Sequence, residues 1–325
     1  MANRSRKHHY LAKFQLAHFT HSGDAHGDLY VFDLAEVRAW KSSPEQAANQ
    51  RDYYAVDLGP NEDPSAMEHI LGRLEGECSR VLREIVEQER LPRGDDLECL
   101  LNFVALTAVR IPRTRKLVSH ITDEVLKNHL RGTLASPDDW QQFRQVLENQ
   151  GRQLRDDEYE VYRQFSLGGD YSVDLDQTSH VQMMVKMIDP LLHALAARHW
   201  SLGIAGEDAP DLIYSDAPVS GWPTRHADSA RPLTLNSPNT VLSFPITRRL
   251  IVLATFEKRP SILEVNRQGI AGFNAFTATG ARQIFTAGPE FTYLARDKTI
   301  RKLDLLQFLR KQQSARNEPR SSPGE

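Results

Sequence analysis

Five histidines fall within the first 26 residues of this 325-residue chain: His8, His9, His18, His21 and His26. Neutral imidazole is a common ligand for zinc, nickel, iron and manganese, and it titrates where a general base is useful. His18 and His21 are three apart, a ligand spacing only if a helix runs on through Gly23. No His-Glu-x-x-His pattern occurs. His8 and His9 are adjacent, and on a helix their side chains would diverge by about 100°. At most one of the pair therefore faces a site, and His9 is the candidate. The plainer alternative is that one ring is buried and hydrogen-bonded while the other is exposed.

A second candidate is Ser215-Asp216-Ala-Pro-Val, directly after the apolar run Leu212-Ile-Tyr. An aspartate held in a turn after a strand is placed to act as ligand or base, and Ser215 beside it to cap or to bond a phosphate. The same residues also suit a turn in which Asp216 bonds backbone amides and only shapes the chain. Arg110-Ile-Pro-Arg-Thr-Arg-Lys is the densest basic cluster. Arg110 and Arg113 are candidate clamps for phosphate or carboxylate, as is Arg282, because guanidinium binds such groups bidentately. Against this, cations at a helix C-terminus simply complement the macrodipole. Asp52-Tyr53-Tyr54 and Asn274 have packing, capping and backbone bonding as their default roles. Met183, Met184 and Met187 read as core filler. No Gly-x-x-x-x-Gly-Lys loop, Gly-x-Gly-x-x-Gly turn or Gly-x-Ser-x-Gly elbow is present.

The elements that must position these groups follow from patterning. Met67, Ile70, Leu71, Leu74, Cys78, Val81, Leu82 and Ile85 recur at helical spacing, with Pro64 and Ser65 at the start and Pro92-Arg-Gly at the stop. Leu97 to Ala108 forms a second stripe ending at Arg110-Ile-Pro, so the two pack as a hairpin. Further helices are predicted at Lys116–Leu130, Pro137–Asn149 and Thr178–Arg198. A short helix is predicted over Tyr10–Phe19, and another closing the chain at Ile300–Leu309. Leu29–Leu34 reads as a strand, with Asp52–Val56 as a second in a small N-terminal sheet. Past Trp200, runs at Asp211–Tyr214, Thr240–Phe244, Arg249–Phe256 and Arg282–Phe285 read as strands. The expected fold is α+β: a helical middle packed on a strand-rich C-terminal half, with a small N-terminal β element. Residues 1–311 form one domain in this reading, and 312–325 a disordered polar tail.

Composition narrows the function classes. Basic and acidic residues number 40 and 43, a net charge of −3, so no global field favours nucleic acid or anionic lipid. No stretch has the length to cross a bilayer, and no apolar segment follows the basic start, which predicts a cytoplasmic protein without membrane contact. Two cysteines, Cys78 and Cys99, are too few for a disulfide framework or a Cys-based zinc site, and both fall at apolar helical positions.

Several fragments, taken in order, resemble the bacterial family catalogued as domain of unknown function 4238. They are His8-His9-Tyr10 followed by Phe14, Leu16 and Phe19; Asp52-Tyr53-Tyr54; and Asn102-Phe-Val-Ala-Leu with Arg110-Ile-Pro-Arg. Ser215-Asp216-Ala-Pro-Val, Phe244-Pro-Ile, and Asn274 with Ala281-Arg282 complete the set, which reaches to about Ala287. Ala12 stands where the family usually has proline, and Ala217 where it has asparagine. The resemblance implies which residues to suspect, not which reaction. Two functions are consistent with the residue types. The first is a phosphate-ester hydrolase, such as a nuclease. There His9 is general base or metal ligand, Asp216 a second ligand for a divalent metal or an orienting carboxylate, and Arg110 and Arg282 stabilise charge. The second is a non-catalytic module binding nucleic acid, a nucleotide or a protein through its arginines, with His8-His9-Tyr10 locking the N-terminus to the core.

Overall fold

A computed structural model describes residues 7–56, 66–153, 155–223, 236–304 and 307. The helical stripe forms α2 (Ala66–Gln88), whose Leu71, Cys78, Val81, Leu82 and Ile85 are buried. Pro64 and Ser65, expected at its start, lie outside the described residues. It turns back into α3 (Asp95–Arg110), which buries Leu100, Phe103, Val104 and Leu106 and packs on α7 (Gln177–Ala196). Pro112 ends α3, because the residue before a proline is driven out of the helical region; Ile111 is extended at φ −75°, ψ 152°. The same proline opens α4 (Pro112–Thr133), since its missing N–H is an orphan in a first turn anyway. Then come α5 (Pro137–Asn149), capped by the Ser136 side chain on the Asp139 amide, and α6 (Tyr159–Gly168).

Two larger sheets carry the strands. One is five-stranded, in the order β10 (Ile262–Val265), β5 (His199–Ala205), β9 (Leu250–Thr255), β8 (Thr240–Pro245), β7 (Ser220–Pro223). Only the β10–β5 pairing among these is parallel. β9 is buried along its whole length, which explains its unbroken apolar sequence. The other sheet is four-stranded, in the order β3 (Arg38–Ser42), β2 (Leu29–Asp33), β11 (Gln283–Thr286), β6 (Tyr214–Ser215). Its central strand β11 brings the first and last parts of the chain together. The register aligns Trp40, Val31, Phe285 and Tyr214 in one row. Period-two alternation sends Phe32 and Ile284 to the opposite face, where they meet Ile213 and Phe291. The main core runs without a break from Tyr10 to Phe285. The fold is α+β, as the sequence predicts.

Several elements differ from expectation. His8 and His9 lie on a strand, β1 (Lys7–His9), paired with β4 (Asn49–Arg51), and the short helix α1 starts only at Lys13 (Lys13–Ala17). Asp52–Tyr54 is a turn rather than a strand: Asp52 takes a positive φ of 54°, which breaks extended backbone. Of the expected Asp211–Tyr214 strand, Tyr214 alone joins a ladder, pairing with β11 together with the next residue, Ser215. Ile300 opens a strand, not a helix: β13 (Ile300–Asp304) forms a hairpin with β12 (Glu290–Leu294), and the tail from Gln312 lies outside the described residues. A helix absent from the sequence reading, α8 (Arg267–Thr279), packs on β12. No helix of the described residues is long and apolar enough to cross a membrane.

Candidate functional site

The suspected residues separate into two groups. The first is interior. His8 is buried, accepts a hydrogen bond on Nδ1 from the Tyr54 amide at 2.9 Å, and stacks on the Tyr54 ring. With Nδ1 an acceptor, the neutral ring carries its proton on Nε2. That nitrogen lies 3.5 Å from Glu68 Oε2, too long for a good hydrogen bond. Arg110 is also fully buried and meets Glu75 Oε1 at 2.5 Å through one guanidinium nitrogen. Glu68 and Glu75 are seven residues apart, so one face of α2 supplies both carboxylates. Nearby tyrosines add to the Arg110 environment, with the Tyr53 hydroxyl donating to the Arg110 carbonyl at 2.9 Å. Burial works against the Arg110 charge, yet Glu75 and the tyrosines more than offset it and raise its pKa. Arg110 is thus buried, paired with Glu75, and does not line the cleft described below.

The second group lines a cleft of about 910 Å³. Trp40, Val31 and Phe285 of the aligned row contribute to its lining. So do Tyr10, Asp216 and Gln283, together with Arg113 and Lys116 from α4 and Thr279–Arg282 from the end of α8 and the residues after it. Asp216 ties β6 to β11: its amide donates to the Gln283 carbonyl, and its Oδ1 accepts the Arg282 amide at 2.9 Å. It therefore bonds backbone, but across strands rather than within its own turn. Burial raises the pKa of its carboxyl, opposed by those amides and by Arg282. The Tyr10 hydroxyl donates to Gln283 Oε1 at 3.4 Å, and its pKa is raised by burial and by Asp216.

Below Arg282 lies a contrasting carboxylate. Asp33 is fully buried, and burial pushes its pKa up. The Glu36 and Ala35 amides, the Gln283 side chain and Arg282 outweigh that and hold it below the ordinary range. The Arg282 guanidinium is engaged by Asp33 and Glu36, with Glu36 Oε1 at 2.6 Å.

The basic cluster is not gathered at one helix C-terminus. Only Arg110 occupies the last turn of α3; Arg113 and Arg115 fall in the first turn of α4, and Lys116 directly after it. There they oppose the macrodipole instead of complementing it. That turn has no acidic residue and no side-chain cap. Arg115 is absorbed by Tyr53, lying 3.7 Å from the ring centroid and donating to its carbonyl. Arg113 donates to the Gly280 carbonyl at 2.9 Å, and neither Arg113 nor Lys116 has an acidic partner among the described residues.

His9 is not on the cleft. Its Nε2 faces the Glu45 carbonyl at 3.1 Å, and burial lowers its pKa. On a strand, neighbouring side chains take opposite faces, which sends His8 inward and His9 outward. Among the described residues no three His, Cys, Asp or Glu side chains come together as metal ligands, and Asp216 is the one acidic residue lining the cleft. Ser215 Oγ accepts the Ala217 amide at 3.2 Å and shapes the turn that holds Asp216. Asn274 is buried mid-helix in α8: its Oδ1 accepts the Ile213 amide and its Nδ2 donates to the Asp211 and Thr292 carbonyls.

Lys116, Gln283, Trp40 and Gly280 were not suspected from sequence. For Lys116 a signal existed, since three residues past Arg113 on a helix is the same face. The others depend on strand register and on α8.

The architecture is that of a mixed α+β protein with a cleft lined by the four-stranded sheet and the start of α4. The family described as protein of unknown function (DUF4238) matches residues 7–291, and the chain belongs to that family. Comparison with curated proteins and with solved structures finds no match.

Proposed function

We propose that the cleft binds a small ligand bearing a phosphate or carboxylate, seated against Arg113, Lys116 and the first turn of α4. The observation that carries this reading is the pair of cations without acidic partners at a helix N-terminus, on the wall of the cleft. Cations there destabilise the free helix by about 0.3–1 kcal/mol each, and a bound anion reverses the sign of that interaction. Uncapped amides and the two side chains then converge on one charge. A cleft of this volume has the scale of a small-molecule site. Gln283 and Tyr10, which also line the cleft, are neutral hydrogen-bonding groups that could meet the remainder of the ligand.

Titration calorimetry with phosphate, a nucleoside monophosphate and a tricarboxylate tests it. One or more should bind, and Arg113→Ala and Lys116→Ala should each weaken that binding about tenfold while leaving the melting temperature nearly unchanged. Binding that is absent for all three anions, or indifferent to both substitutions, removes the reading.

A catalytic extension rests on Asp216, whose raised pKa in the cleft suits a carboxyl that donates a proton to a leaving oxygen. Phosphate-ester hydrolysis is the reaction this would serve, with Arg113 and Lys116 holding the developing charge. Asp216→Asn keeps the acceptor for the Arg282 amide and removes the titrating proton. Turnover of an aryl phosphate by the parent chain and its loss in that variant would support hydrolysis; equal activity in both would eliminate it.

A further inference from the structure

Away from the cleft, α2 and α3 face each other through their two cysteines. Cys78 is buried and Cys99 partly exposed, and both are free thiols. Their sulfur atoms are 3.1 Å apart, and the Cys78 sulfur also lies 3.5 Å from the Cys99 carbonyl. A disulfide bond is about 2.05 Å long, so closure needs an approach of about 1 Å. Two side chains on neighbouring helices reach that separation only when their Cβ vectors converge.

We propose that Cys78 and Cys99 form a redox-active pair that closes into a disulfide across the α2–α3 hairpin, with a low-molecular-weight disulfide such as oxidised glutathione as oxidant. Exposure decides the order of events. Cys99, the accessible member, loses its proton and attacks one sulfur of the oxidant; that sulfur stays bonded to Cys99 as a mixed disulfide, while the other half of the oxidant leaves as a thiolate and takes up the proton. The Cys78 sulfur, adjacent in the resulting mixed disulfide, then gives up its proton and attacks the Cys99 sulfur. The second small thiolate leaves and takes up the second proton. The protein loses two hydrogens and two electrons, and one small disulfide becomes two small thiols. Burial, and the Cys99 thiol beside it, keep Cys78 protonated, so it does not compete as the first nucleophile. The bond would form three residues, one helical turn, beyond Glu75, the partner of Arg110. Oxidation thereby fixes the helix pair that carries the internal ion pair.

The full chain, kept native, is incubated with excess oxidised glutathione, alkylated and digested with trypsin. The expected product is a cross-link between peptides Leu74–Arg80 and Gly94–Arg110, reversed by dithiothreitol, with a higher melting temperature than the reduced chain. Recovery of both cysteines alkylated, a glutathione adduct that persists on Cys99, or cross-linking only after denaturant is added would each overturn the proposal. Cys78→Ala separates the two steps. That variant should retain a stable glutathione adduct on Cys99, whereas an unmodified Cys99 would contradict the proposed order of attack.

Discussion

Arg110 and Arg113 are three residues apart in one basic motif, and the fold gives them opposite work. Arg110 has no exposed side-chain surface and is neutralised by Glu75. Arg113 is exposed on a cleft wall without an acidic partner. The Ile-Pro step between them makes the difference, ending one helix and starting another. The N-terminal motif divides in the same way. His8 goes to the interior cluster and Tyr10 to the cleft, with His9 outside both. A motif that is compact in sequence thus sends one residue to the interior and another to the cleft. Substitution separates the two roles: interior changes should alter folding, and cleft changes binding.

The largest effect is expected at the ion pair. Glu75→Ala leaves a fully buried guanidinium without its carboxylate and should destabilise the fold by about 3–5 kcal/mol in urea denaturation. A loss under about 1 kcal/mol would mean that Arg110 finds another partner or water, erasing the contrast with Arg113. Next comes His8→Phe, which preserves a ring against Tyr54 but strands the Tyr54 amide. The expected loss is about 1–3 kcal/mol, with anion binding unchanged.

The two aspartates beside β11 sharpen the comparison through pH. Asp33 is held below the ordinary carboxylate value of 3.8, so its contribution is present above that value and lost as pH falls through the folded pKa. Asp216 is raised above 3.8, so the sign reverses: its ionisation destabilises the fold as pH rises from 3.8 through the folded pKa. Asp33→Asn should therefore lose most stability at about pH 7 and least at about pH 3, whereas Asp216→Asn should compare best with the parent at about pH 7. Denaturation curves at the two pH values settle this, and parallel responses would contradict the opposed electrostatics.

The smallest effect on stability belongs to Gly280→Ala. A methyl group there would collide with the Arg113 guanidinium, the far end of a flexible side chain that can swing away. Stability should change by no more than about 0.5 kcal/mol, while anion affinity falls because Arg113 loses its anchor. Unchanged affinity would show that the Gly280 carbonyl does not position Arg113.

Much of the architecture was legible because long helices write their buried face into the sequence. The stripe from Met67 to Ile85 is one case, and the apolar run of β9 marks its strand equally plainly. α8 escaped notice because its buried face is Ile270, Ala271, Asn274 and Thr277, small and polar residues that leave little amphipathic signal. His8 and His9 could not be assigned to a strand, since β1 has three residues and exists through its pairing with β4. Residue type pointed to Arg113, Asp216 and Arg282, and the family resemblance to Tyr10, all of which line the cleft. It could not exclude Arg110, because burial of an arginine depends on Glu75 arriving from another helix. Lys116, Trp40 and Gln283 join the cleft through helix face and strand register, which composition does not reveal.

Asn274 gives one of these weakly patterned elements an unusually strict alphabet. Its carbonyl receives one backbone amide and its NH₂ supplies two backbone carbonyls, so the side chain acts as a spliced-in peptide group joining three segments. Aspartate, with a carboxylate oxygen in place of the NH₂ group, would set an acceptor against two acceptors and bury a charge. Glutamine offers the same amide one methylene too far along. At this position the fold reads a single letter, and it does so by donor and acceptor order rather than by size or hydrophobicity.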